Sequence, residues 1–274
     1  MQANNKKWSI LAAALALSAI GGWALAQDPA PAADAPAADA APADEAAAAD
    51  GGEAPAEEAA KPAKPVKARP SEIMPLAPKS LMLGIANTGK VLVAVGERGN
   101  IIVSNDGTKW AQVQAPARSA LTAVSFADDK NGWAVGHDAV ILHTTDGGKS
   151  WAMQNFEPAL EKPFLSVLVL DASSAIAVGA YGLIKTTADA GKTWTDVDAP
   201  EIRADELHFN SIVKLNDGSL FIAGEQGLLG HSADKGVTWK KVASPYDASL
   251  FGALPAGDKG AVIFGLRGNA YLST

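Results

Sequence analysis

From about residue 80 onward the chain is written in short apolar runs separated by polar turns. One stretch shows the unit: Leu121-Thr-Ala-Val-Ser-Phe126, a turn through Asp128-Asp129-Lys130-Asn131-Gly132, then Trp133-Ala-Val135 with Gly136, then Val140-Ile-Leu-His143. A tight turn through Asp146-Gly147-Gly148 leads to Trp151-Ala-Met153. Runs of this length, bounded by Gly and Asp, predict four β-strands per unit. No stretch of 80–274 sustains a 3.6-residue apolar period with caps, which argues against a helical solenoid.

The unit repeats. Trp110, Trp151, Trp194 and Trp239 are spaced by 41, 43 and 45 residues. Gly96, Gly136, Gly179, Gly224 and Gly265 follow in step, at 40, 43, 45 and 41. Such a period suits four-stranded propeller blades. The predicted fold is therefore all-β: a β-propeller over 72–274 with four full blades and an incomplete fifth. The fifth unit begins at Leu250, passes Gly265-Leu266-Arg267-Gly268 and stops at Ser273-Thr274, inside its turn motif. That ending suggests a truncated propeller. The alternative is a closed ring of five, with Ile73–Pro78 as an outer strand completing the last blade.

The turn before each Trp is the most specific element. It reads Thr144-x-Asp146-x-Gly148-x-Ser150-Trp151, Thr187-x-Asp189-x-Gly191-x-Thr193-Trp194 and Ser232-x-Asp234-x-Gly236-x-Thr238-Trp239. A first copy, Ser104 to Trp110 around Asp106, is one residue shorter. An Asp at this place can accept backbone N–H groups of its own turn. The following Trp can bury its ring between blades. Asp106, Asp146, Asp189, Asp234 and the four Trp are thus read as structural. Each turn carries one carboxylate, short of the oxygen cage a hard cation needs, so no metal is expected.

This pattern resembles the BNR/Asp-box repeat propellers. The phrases Ala134–Trp151 and Ile176–Trp194 look like the photosystem II stability/assembly factor-like repeats. The resemblance covers roughly 72–274. It implies a propeller that acts as an exported helper, binding membrane-protein subunits during photosystem assembly. Relatives of unassigned role also occur in bacteria that do not photosynthesise.

The first quarter differs in kind. Lys6 and Lys7, the apolar run Ser9–Ile20 and Ala24-Leu25-Ala26 read as a signal peptide over 1–26. An uncleaved inner-membrane anchor is the alternative. Either way the expected location is the periplasm, or the thylakoid lumen if the cell photosynthesises. Residues 27–60 are half Ala, with nine carboxylates and no basic residue. Together with the basic stretch Lys61, Lys64, Lys67 and Arg69, they form the linker 27–71, predicted to be disordered for want of anything to bury.

The chain has 274 residues, a formal charge of −7 and no cysteine. Thiolate metal sites and cysteine nucleophiles are excluded, and the acidic balance argues against a nucleic-acid partner. His137, His143, His208 and His231 show no metal-ligand spacing, no Walker loop is present, and no cofactor or small-molecule substrate is expected. Up-and-down connectivity puts the turns between second and third strands on one face with the inter-blade connections. Those segments carry Arg98, Arg118, Arg203 and Arg267, with Tyr181 and Tyr246. Arg forks carboxylates and phosphates, and Tyr suits binding surfaces. The resulting expectation is a non-catalytic binding protein that docks through this face. Its partner would be a membrane-protein subunit or envelope complex, photosystem-like or a transporter. The competing expectation is a sialidase-like glycoside hydrolase, with Tyr181 as nucleophile beside Asp138 or Glu225.

Overall fold

The computed structural model describes residues 8–10 and 66–273; for 8–10 it gives the backbone path. The remainder of the expected signal and most of the linker lie outside the described residues. Strand β1 (Trp8–Ile10) comes first in the chain. Blade one is β2 (Met82–Asn87), β3 (Leu92–Gly96), β4 (Ile101–Ser104) and β5 (Ala111–Val113). Blade two is β6 (Leu121–Phe126), β7 (Gly132–Gly136), β8 (Ile141–Thr144) and β9 (Ala152–Asn155). Blade three is β10 (Phe164–Val169), β11 (Ala175–Gly179), β12 (Ile184–Thr187) and β13 (Thr195–Asp196). Blade four is β14 (Phe209–Lys214), β15 (Leu220–Gly224), β16 (Leu229–Ser232) and β17 (Lys240–Lys241). Blade five is β18 (Leu250–Ala256), β19 (Gly260–Gly265) and β20 (Ala270–Ser273), with β1 antiparallel to β20 as its fourth strand. A one-turn helix, α1 (Pro200–Arg203), lies between blades three and four.

Within blades one to four the strands run antiparallel in sequence order, in blade five β1 lies beyond β20, and extensive packing between described blades is confined to consecutive ones. Among the described elements no extensive packing joins blade five to blade one. The core lies between blades. Trp133, Val135 and Ile141 of blade two meet Phe164, Val167, Ala175 and Ala177 of blade three. Ile176, Val178 and Ile184 on the other face of blade three meet Phe209, Ile212, Leu220 and Ile222 of blade four. Strands buried on both faces explain why the apolar runs are nearly continuous, and each large aliphatic or aromatic side chain so buried contributes about 1.5–3 kcal/mol. At the two ends of the series such positions face solvent: Ile85 in blade one, Leu254 and Phe264 in blade five.

The recurrent glycine has a clear cause. Gly179 is extended, not left-handed, and a Cβ there would lie 2.1 Å from the Pro163 carbonyl oxygen. That oxygen accepts the Ala180 N–H at 2.9 Å. The same close approach recurs at Gly96, Gly136, Gly224 and Gly265. It ties the end of each second strand to the chain entering the first.

One expectation is corrected. Ile73–Pro78 does not complete the last blade. It lies against blade one, where Met74 N–H donates to Gln112 Oε1 at 2.7 Å and Ala77 is buried with Ala94 and Ile102. Pro75 and Pro78 lack the N–H groups a ladder strand must donate. Nor does the described chain join the propeller only at residue 72. From Val66 it forms a strap whose Ala68 packs on the core between blades one and two. The Trp rings also differ: Trp151 and Trp239 are buried, whereas Trp110 and Trp194 are half-buried.

Candidate docking face

The second-to-third-strand turns are built alike. In each, a non-Gly residue sits in the left-handed region: Arg98 (φ 56), Asp138 (φ 59), Tyr181 (φ 52), Gln226 (φ 49) and Arg267 (φ 58). In three of them the glycine after it is pressed against the next inter-blade connection, whereas nothing lies within 4 Å of a Cβ at Gly268 in the fifth. A Cβ on Gly99 would lie 2.1 Å from the Ala117 oxygen, next to Arg118. One on Gly182 would lie 3.3 Å from the Arg203 side chain, and one on Gly227 would lie 1.8 Å from the Tyr246 oxygen. Tyr246 in turn donates its hydroxyl to the Leu266 oxygen at 3.2 Å, beside Arg267. All six residues named from the sequence therefore sit at one end of the blades, here called the connection end.

Their surroundings are unequal. Arg98 and Arg267 are exposed, with no carboxylate in ion-pair range among the described residues. Arg118 pairs with Glu72, and Arg203 donates to the Val197 oxygen at 3.0 Å. Tyr181 is edge-on to His208 at 4.7 Å, and Lys162 Nζ stands 5.7 Å from its ring centre. The end is not a uniformly basic field. Glu97, Asp138, Glu157, Glu161, Glu201, Glu225 and Asp247 share its turns and connections. The arginines act there as separate forks, not as one broad positive potential.

The opposite end carries the Asp turns. Asp146 accepts Ser150 N–H at 2.9 Å, Ser150 Oγ at 2.6 Å and Thr144 Oγ1 at 2.8 Å. Asp189 and Asp234 repeat this geometry. Hydrogen bonds hold three of these carboxyls at about 2: the Lys109 N–H leads at Asp106, the Thr193 N–H at Asp189 and the Thr238 hydroxyl at Asp234. At Asp146 burial pushes upward, but the Ser150 and Thr144 bonds outweigh it and the net direction is down. Trp151 and Trp239 donate Nε1 to Gly148 and Gly236, closing the turn. Trp194 departs from this and donates to Gln154 Oε1 of blade two, as does Trp133. These aspartates accept hydrogen bonds from their own turns.

The carboxylates expected beside Tyr181 have other partners. Glu225 accepts the His208 N–H at 3.0 Å and faces His208 Nδ1 at 3.4 Å. Asp138 accepts the Ser119 hydroxyl at 2.6 Å. Neither carboxylate is hydrogen-bonded to the Tyr181 hydroxyl. Among the described residues no group of three His, Asp or Glu could hold a metal ion.

Two residues of the basic stretch that the sequence assigns to the linker share this end with the arginines. Lys67 and Arg69 belong to the strap, and their composition is continuous with the linker before them.

Five four-stranded antiparallel sheets, each packed on the next and punctuated by Asp turns, define a β-propeller repeat protein. The family model for photosynthesis system II assembly factor YCF48 matches residues 102–201 and 156–253, more than half of the chain, and the chain belongs to that family. It is 32% identical over 95 residues to the photosystem II assembly lipoprotein Ycf48 of Prochlorococcus marinus (strain NATL2A), covering 33% of this chain and 28% of the relative. Its fold is similar to a solved structure described as YCF48 bound to D1 peptide, with TM-score 0.52, 20% identity and coverage of 73% of this chain and 61% of that one. It is similar also to an ancestral GH74 enzyme, with TM-score 0.52, 15% identity and coverage of 70% and 30%. The chain thus spans less than a third of the curated relative, and these structural likenesses speak to the fold alone.

Proposed function

We propose that this chain is a non-catalytic assembly or stability factor for a membrane-protein complex, exported to the periplasm or a lumen, and that it docks through the connection end. The observation that carries this reading is the position of Arg98, Arg118, Arg203 and Arg267 with Tyr181 and Tyr246 at one end, opposite the Asp turns. Family membership supports the helper role, and the description of a relative as bound to a D1 peptide supports a membrane-protein segment as the ligand class. The fork geometry of the arginines suits carboxylates on a loop or tail, with the tyrosines supplying apolar contact.

The test is capture of a partner from detergent-solubilised membranes of the source cell. The full chain and a variant with all four arginines changed to Glu are compared, with folding checked by circular dichroism. The variant should fold and lose the partner. Undiminished capture by the folded variant would refute docking through this end.

A further inference from the structure

The strap places an acidic side chain on one of the docking arginines. Ser71 is buried; its N–H donates to the Ala115 oxygen at 2.9 Å and its Oγ accepts the Ala115 N–H at 2.8 Å. Gln114 donates to the Ser71 oxygen at 3.0 Å and Gln112 to the Glu72 oxygen at 2.8 Å. The backbone at Glu72 is thus clipped to blade one. From there its carboxylate takes Arg118 Nη2 at 2.5 Å. The strap also brings Lys67 and Arg69 into one open groove of about 540 Å³ with Arg118. Val66, Ala68 and Phe156 give this groove an apolar wall, and Asp138, already holding the Ser119 hydroxyl, is the carboxylate in its lining.

We propose that Glu72 is a built-in competitor: it occupies the Arg118 fork, and an acidic extended peptide binds by displacing it and entering the groove of Lys67, Arg69 and Arg118. This rests on the connection end being the docking face, and adds to it a regulator and two further cations. Release is a side-chain movement. The clips through Ser71, Gln112 and Gln114 do not involve the Glu72 carboxylate, so the strap stays in place when it swings away. Both partners are substantially exposed, at 45% and 67%, so the pair is weak enough to exchange. A guanidinium has five donors in a rigid fork, which accepts an incoming carboxylate in the same plane.

The probe is a fluorescein-labelled hexapeptide of alternating Asp and Glu, titrated against the full chain at low ionic strength by anisotropy. Glu72→Gln should tighten binding by about two- to fivefold, the range of an exposed ion pair. Lys67→Gln and Arg69→Gln together should weaken it. In an Arg118→Gln background the Glu72 substitution should change nothing, because the competitor then has nothing to occupy. An unchanged or weakened affinity in Glu72→Gln overturns the proposal, as does a gain that persists without Arg118. Absence of peptide binding in both wild type and Glu72→Gln also overturns it. That last result leaves the capture test with the four-arginine variant untouched, so the two readings fail separately.

Discussion

Replacing Gly179 with Ala tests the feature that sets the blade period. The added Cβ would sit 2.1 Å from the Pro163 oxygen and 2.7 Å from Phe164 Cα, both backbone atoms. No side-chain rotation relieves contacts with backbone, so β10 and β11 must part at this end. Parting them strains or breaks the Ala180 N–H bond to Pro163, and it disturbs Phe164, which is fully buried between blades two and three. Overpacking of a tight core costs about 1–3 kcal/mol, and a buried backbone group left unpaired costs about 1–3 more. Loss of unfolded-state freedom on going from Gly to Ala returns about 0.4–1 kcal/mol. The net expectation is destabilisation by about 2–4 kcal/mol. Gly89→Ala is the control. Gly89 has φ +87 with nothing within 4 Å of its would-be Cβ, so only backbone strain of about 1–2 kcal/mol applies. Urea unfolding of the full chain, followed by tryptophan fluorescence, gives the comparison. If Gly179→Ala shifts stability no more than Gly89→Ala does, close approach is not what demands the glycine.

Two other expectations follow from buried or hydrogen-bonded charge. Hydrogen bonds push Asp106, Asp189 and Asp234 down to about 2 in the fold, from an ordinary 3.8, so their stabilisation is complete above about 4 and lost as pH falls through about 2. Thermal melts across that window should show a falling midpoint, and Asp234→Asn should reduce the fall. Lys185 on β12 has a side chain only 10% exposed and lies 3.5 Å from Glu157 and 3.4 Å from Asp196. Lys185→Met should be close to neutral in a melt, since it fills similar volume and leaves two solvated carboxylates. Lys185→Ala should cost about 2 kcal/mol or more, for the cavity between blades two and three.

The repeat was legible because it is a one-dimensional signal. Strand runs, the Asp turns and the spaced glycines recur at fixed offsets, and each turn's hydrogen bonds close within a few residues, as between Asp146 and Ser150. What escaped were contacts that skip along the chain or differ from copy to copy. The Glu72–Arg118 pair joins residues 46 apart, across a segment whose composition reads as linker. Its order depends on Ser71, a small polar residue that nothing local marks as buried. The Ile73–Pro78 stretch resembled an outer strand by alignment, yet its prolines suit a cap on blade one better than a ladder. Trp194 could not be told from the other three tryptophans, because its partner is Gln154 of the preceding blade. In the same way, gathering the arginines at one end followed from connectivity, but the carboxylates interleaved with them shape the field there just as much.

The five equivalent turns share one backbone conformation and differ in the side chain that it carries. The backbone at each holds a left-handed residue, and in four of the five the residue after it is buried. Gly or Asn would adopt the left-handed conformation with least strain. The chain instead places Arg, Asp, Tyr, Gln and Arg there, each holding φ between 49 and 59. Stability alone would not select these side chains, since a non-Gly residue in this region costs on the order of 1 kcal/mol. Arg98, Tyr181, Gln226 and Arg267 are exposed there, and Asp138 is half-buried on the Ser119 hydroxyl. The Asp turns hold Ala190 (φ 60) and Lys235 (φ 60) in the same region, so what sets the connection end apart is the side chains it carries and not backbone strain.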